Sequence, residues 1–207
     1  MKNFFFLIIT ILSFQTLSLA DNIQNFQIGG MKLGDSALDY FSESQLEDNE
    51  QGWHNYNYTE YSTSYMPSKD IYNWFLVSYK NDDNNFIIEG LVAGLEKNNY
   101  DHKECNNKLD VVALNISKLF KNTAQEEKKS YKLTQDAART YPFTGKSAVT
   151  SLSFNFLDGA KIILECYNMD KEAQENESFL KSVLKQNHSF RIDVRSSAFV
   201  NNLKKNE

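Results

Sequence analysis

Proline and glycine are scarce in this chain, 2 and 8 residues in 207. No low-complexity linker interrupts it, so nothing marks a domain boundary, and the length suits one domain with a sizeable core. Histidine is nearly absent as well: His54, His102 and His188 are scattered among polar residues and read as surface. A surplus of positive charge is also missing. Nucleic acid and anionic membranes both demand a basic footprint, so neither is an expected partner. After residue 20 no run is apolar enough to span a membrane, and the mature chain is expected to be soluble.

The one long apolar run lies at the start. Lys2 is followed by apolar residues from Phe4 to Leu12, then by the more polar Ser13, Gln15 and Thr16, and the segment closes on Ser18, Leu19 and Ala20. That order, with small residues three positions and one position before the cut, describes a cleavable secretory signal peptide over 1–20. Gln15 and Thr16 interrupt the run before it reaches spanning length. The mature chain then begins at Asp21, in the periplasm or outside the cell. Cleavage removes Lys2 and no acid, leaving a net charge of about −6.

Two cysteines remain, Cys105 and Cys166. In an exported chain an even count predicts one disulfide, here closing a loop of about sixty residues. The rival readings are two buried thiols, or metal ligation together with His102. One histidine and two cysteines lack a fourth ligand, so no metal and no cofactor are expected. Asparagine sequons at 57, 115, 176 and 187 match the glycosylation pattern. In so Asn-rich a chain they are ascribed to chance.

Hydrophobic periodicity supplies the elements. A short strand through Phe26 and Ile28 leads through Gly29 and Gly30 to a helix over about 36–46, capped by Asp35 or Ser36. Trp53 to Met66 is Tyr-rich and reads as an irregular strand or ordered loop ended by Pro67. Residues 71–80 and 86–95 form a hairpin signature around a polar loop. From about 101 the residues Cys105, Leu109, Val112, Ile116 and Leu119 recur at helical spacing. Thr123 to Gln135 is a charged connection or edge strand. A second hairpin runs from Ser147 to Phe156, turns at Asp158 and Gly159, and returns through Ile162, Leu164 and Cys166. A helix at Phe179–Leu184, a strand through Phe190, Ile192 and Val194, and a last short helix through Phe199, Val200 and Leu203, capped by Ser196 or Ser197, follow, fraying over about 200–207 into a Lys-rich tail. Strands in sequence pairs with intervening helices indicate a single α+β domain over 21–207, an antiparallel sheet with helices packed on one face.

Candidate chemistry is thin. Gly34, Asp35 and Ser36, with Leu38 nearby, resemble the nucleophile block of the GDSL esterase and lipase family. That resemblance implies Ser36 as the nucleophile of a small secreted esterase, served by a His with an Asp three positions before it. Position 185, three before His188, is Lys, and no Gly-x-Asn-Asp block occurs. Helix capping accounts for the same residues without a reaction. Asp101, His102 and Glu104 describe helix-dipole charges as well as they describe a metal site. Trp53, Tyr56, Tyr58, Tyr61 and Tyr65 offer rings that could stack on a sugar or a protein, although Tyr is also commonly half-buried.

The stretch from Ile28 through Gly29, Gly30, Met31, Gly34, Asp35 and Ser36 to Phe41, with the later cysteines, resembles the opening of small, uncharacterised exported bacterial proteins. The glycine-marked turn into a helix before an antiparallel sheet is also similar to small outer-membrane assembly lipoproteins and β-lactamase-inhibitor modules. This chain lacks the lipoproteins' lipobox cysteine. The expectation is an exported binding or envelope-maintenance protein without catalysis, with an envelope protein or glycan as partner.

Overall fold

The computed structural model describes residues 22–50, 60–69, 71–96, 102–121, 124–134, 144–168 and 188–205. The signal peptide expected over 1–20, Trp53, Tyr56, Tyr58 and the helix expected at Phe179–Leu184 lie outside them. The elements are α1 (Glu43–Asp48), β1 (Tyr61–Pro67), β2 (Trp74–Lys80), β3 (Gly90–Glu96), α2 (His102–Leu119), β4 (Ala124–Thr134), β5 (Thr144–Phe156), β6 (Lys161–Asn168), β7 (His188–Arg195) and α3 (Ser197–Lys205). The strands form one seven-stranded sheet in the order β1-β2-β3-β7-β6-β5-β4, with every pairing antiparallel. Two meanders thus meet at a seam. The first runs from β1 to β3, α2 carries the chain to the far edge, and β4 to β7 step back until β7 lies against β3.

Because successive strand residues point to opposite faces, each face collects its own set of side chains. The first face gathers Phe75 and Val77, Leu91 and Ala93, Phe190, Ile192 and Val194, Ile162, Leu164 and Cys166, and Leu152 and Phe154, all buried. Against its β5–β7 half lies α2, whose Cys105, Leu109, Ala113 and Ile116 are buried at helical spacing. Cys105 is bonded to Cys166 with 5.9 Å between the Cα atoms. The bridge ties the start of α2 to the centre of β6 and closes a loop of 61 residues. Constraining the unfolded chain in this way stabilises the fold by about 4 kcal/mol on a chain-entropy account. Among the described residues no helix is long and apolar enough to cross a membrane.

The N-terminal segment covers the same face near β1 and β2. The helix expected over 36–46 is broken in two: a 3-10 turn at Ala37–Asp39 capped by Ser36, and α1, for which Ser42 and Gln45 form a capping box. Ser42 is extended (ψ 154°) and exchanges side-chain and backbone hydrogen bonds with Gln45, so it starts a new helix instead of continuing the old one. Ala37 and Leu46 are both buried, yet nine residues separate them, which is two and a half turns, so one unbroken helix would set them on opposite faces. The strand expected through Phe26 and Ile28 is a tight loop, with Ile28 bridging Met31 around the two glycines. The charged stretch after residue 123 is β4, the edge strand beside β5.

The helices do not all share one face. Phe199 of α3 sits on the opposite side, its ring 5.0 Å from that of Tyr61 and close above Gly90. A Cβ at Gly90 would stand 2.8 Å from Phe199 Cε1, so the missing side chain is the space the ring fills. The connection after β7 helps, since the Ser196 amide donates to Glu89 O at 2.8 Å and its hydroxyl caps α3 through the Phe199 amide at 3.0 Å. The last helix expected through Phe199, Val200 and Leu203 is present and continues to Lys205, with Val200 and Asn202 buried.

Candidate binding site on the second face of the sheet

The second face is built in cross-strand rows. In the first row Trp74, Gly94, Arg191 and Glu165 are in register on β2, β3, β7 and β6. The Trp74 indole folds over Gly94, where a Cβ would fall 2.1 Å from the ring and could not exist. Having crossed that gap, the indole meets Arg191, whose guanidinium carbon lies 5.3 Å from the Trp74 ring centroid and 4.3 Å from that of Tyr167. Tyr65 stacks on the far side of Trp74 at 6.1 Å. The guanidinium is therefore clamped between two π faces, an arrangement that holds a cation without neutralising it.

Glu165 is fixed differently. Its Oε2 accepts a hydrogen bond from the Tyr167 hydroxyl at 2.8 Å. Although a part of it remains exposed, the protein packed round it pushes its carboxyl above the usual range, with Asp193 adding to the rise while Arg191, the Tyr167 hydroxyl and Arg195 oppose it. Arg191 and Glu165 are direct cross-strand neighbours, yet among the described residues no ion pair joins them. The Nε of Arg191 is buried without a hydrogen-bond partner.

The next rows complete the floor. Leu76, Val92, Asp193 and Ile163 lie in register, followed by Ser78, Gly90, Arg195 and Lys161. Asp193, 6% exposed, accepts from Arg195 Nε at 3.0 and 2.9 Å and from Nη2 at 2.5 Å, so this pair largely cancels its own charge. Thr63 and Ser78 share a hydroxyl hydrogen bond of 2.8 Å. Above the floor is a cavity of about 350 Å³, walled by Arg191, Glu165 and Tyr167 at one end and by Tyr61, Phe199 and Leu203 at the other. That volume is at the lower end of small-molecule sites. Burial, with Glu89 and Glu60 nearby, raises the Tyr61 pKa, which keeps its phenol a neutral hydroxyl.

The aromatic residues singled out from the sequence divide. Tyr61 lines the cavity and Tyr65 buttresses Trp74. Ser36 stands elsewhere: its hydroxyl accepts from the Leu38 amide at 3.2 Å and donates to Asn85 O at 2.6 Å, binding the N-terminal segment to the approach of β3. Asn115 lies on the exposed side of α2.

Sequence reasoning missed Arg191, Asp193, Arg195, Glu165 and Tyr167. The signal was present in β7, where three charged residues alternate with Phe190, Ile192 and Val194, and in β6, where Glu165 and Tyr167 flank Cys166. Such alternation ordinarily marks a solvated face, and only the partner strands show it to be a cavity wall. Comparison with protein-family models, curated proteins and solved structures finds no match to this chain.

Proposed function

We propose that the mature chain is an exported, non-catalytic binding protein of the periplasm or extracellular space, and that its ligand occupies the cavity on the second face of the sheet. The observation that carries this reading is the clamped Arg191 beside Glu165, two opposite charges on one cavity wall without an ion pair between them. Rigid placement of charged groups before a ligand arrives lowers the ordering cost of binding. The Cys105–Cys166 bridge supports export, because disulfides persist in oxidising compartments. An envelope-maintenance role follows if the ligand is presented by an envelope protein or glycan.

The test is a thermal-shift screen of the oxidised mature protein against envelope sugars, amino acids, short peptides and metal ions. Val92→Trp, which fills the centre of the floor, serves as the blocked control. At least one compound should raise the Tm of the wild-type protein and leave that of Val92→Trp unchanged. A screen without any such compound, or one whose hits act equally on the blocked variant, would refute the assignment.

A further inference from the structure

The wall of the cavity also narrows the chemistry of the ligand, on the reading just given that the cavity is a binding site. Arg191 and Glu165 face each other across β7 and β6, a position in which Cβ atoms are about 5 Å apart and ion pairs form readily. Here, among the described residues, no ion pair joins them, although the charge of Arg191 still acts on the Glu165 carboxyl. The rings of Trp74 and Tyr167 hold the guanidinium, and the Tyr167 hydroxyl holds the carboxylate. A ligand of one charge sign would satisfy one of these groups and be repelled by its neighbour. A ligand bearing both signs a few ångströms apart satisfies both.

The remainder of the cavity specifies the body of that ligand. Asp193 and Arg195 chelate one another and ask for no further charge. Leu76 and Val92 form an apolar floor that leads to Phe199 and Leu203, and the further lining carboxylate, Glu50, accepts a hydrogen bond from the Ser62 hydroxyl at 2.7 Å. From the row of Arg191 to that of Arg195 is four strand residues, about 14 Å at roughly 3.4 Å per residue. This exceeds the roughly 7 Å backbone of an extended dipeptide, which leaves room for an apolar side chain beyond a small charged head group.

We propose that the cavity takes a small zwitterion with an apolar body, the class of apolar amino acids and their dipeptides. The ligand ammonium lies on Glu165, its carboxylate on Arg191, and its side chain over Val92 toward Phe199. An ammonium beside Glu165 also relieves the burial that disfavours its charged form. Tyr167 has a second task in this arrangement: its ring holds Arg191 and its hydroxyl holds Glu165, so one residue sets the separation of the two charges.

Isothermal titration calorimetry of the oxidised mature protein at neutral pH tests this with leucine, leucyl-leucine, the N-acetyl and C-amide form of each, and glucose. A parent zwitterion should bind, and N-acetylation or amidation should each weaken it at least tenfold. Glu165→Gln retains an acceptor for the Tyr167 hydroxyl, and in it the parent and N-acetyl compounds should bind alike. In Arg191→Met the parent and amide should bind alike. If Arg191→Met does not fold, Arg191→Lys, which keeps the charge without the planar fork, should still weaken the carboxylate-bearing compounds selectively. Binding indifferent to both blocking groups overturns the inference. So does occupation by glucose or another screened compound that Val92→Trp abolishes, with no binding of zwitterions, an outcome that leaves the cavity a binding site. Failure of every ligand class overturns this inference and the proposed function together.

Discussion

On β7, Phe190, Ile192 and Val194 disappear into the core beneath α2, while Arg191, Asp193 and Arg195, alternating with them, look onto the cavity of the other face. The two faces treat polar atoms differently as well. In the core the Ser64 hydroxyl donates to Leu46 O at 2.6 Å and pairs with the Tyr79 hydroxyl at 2.8 Å, so a buried polar group is fully answered. Across the sheet the Nε of Arg191 is buried and unanswered. The period of two lets one strand build a stable core and a receptive wall at once, because changing a residue on one face leaves the other face's neighbours in place.

That contrast can be broken by mutation. The largest effect is expected from Phe190→Ala, which deletes a fully buried ring from the core and should destabilise by about 3–5 kcal/mol. Urea denaturation measures it, and a loss no larger than that of Arg191→Met would mean that the two faces contribute alike.

Next is the disulfide. The double variant Cys105→Ser/Cys166→Ser should lose about 4 kcal/mol on the chain-entropy account, read as a lower denaturation midpoint that the wild-type protein reproduces when fully reduced. An unchanged midpoint would show that α2 is held on the sheet by packing alone.

The smallest effect has the opposite sign. The Glu165 pKa is raised from its ordinary value of 4.5, chiefly by burial. The stability this group contributes is therefore fully present below pH 4.5 and is lost as the pH rises through the folded-state value. Glu165→Gln, neutral throughout, should match the wild-type Tm in acid and exceed it modestly at neutral pH. A lower Tm at neutral pH would show that the attraction of Arg191 outweighs the desolvation of Glu165, and the wall would then be a structural ion pair.

Legibility of the fold followed the range of the interactions. The Cys105–Leu109–Ile116 stripe and the hairpin turning at Asp158 and Gly159 depend on neighbours a few residues away, and they could be read directly. The break between the Ala37 turn and α1 could not, because Ala37, Leu38 and Phe41 recur at helical spacing right up to Ser42, where a second, separately capped piece begins. Ser36 looked nucleophilic because three adjacent letters matched a motif. Its partner Asn85 is 49 residues away and could not be paired with it from the chain alone.

The candidate site was less legible still. Tyr61 and Tyr65 were singled out as aromatic, but apart from Glu50 the residues that give the cavity its charge come from β6 and β7, and its apolar floor from β2 and β3. Hydrophobic alternation determined by itself that β7 is a strand with Phe190, Ile192 and Val194 facing inward, and the even cysteine count favoured a Cys105–Cys166 bridge over two buried thiols, which the structure then decided. Only the tertiary structure decided that β7 joins β3, which puts Gly94 beside Arg191 and lets the Trp74 ring reach the guanidinium. Periodicity reports which face a side chain takes. Which strand lies alongside is set by the packing of the whole sheet, and in this protein the binding wall is made at that seam.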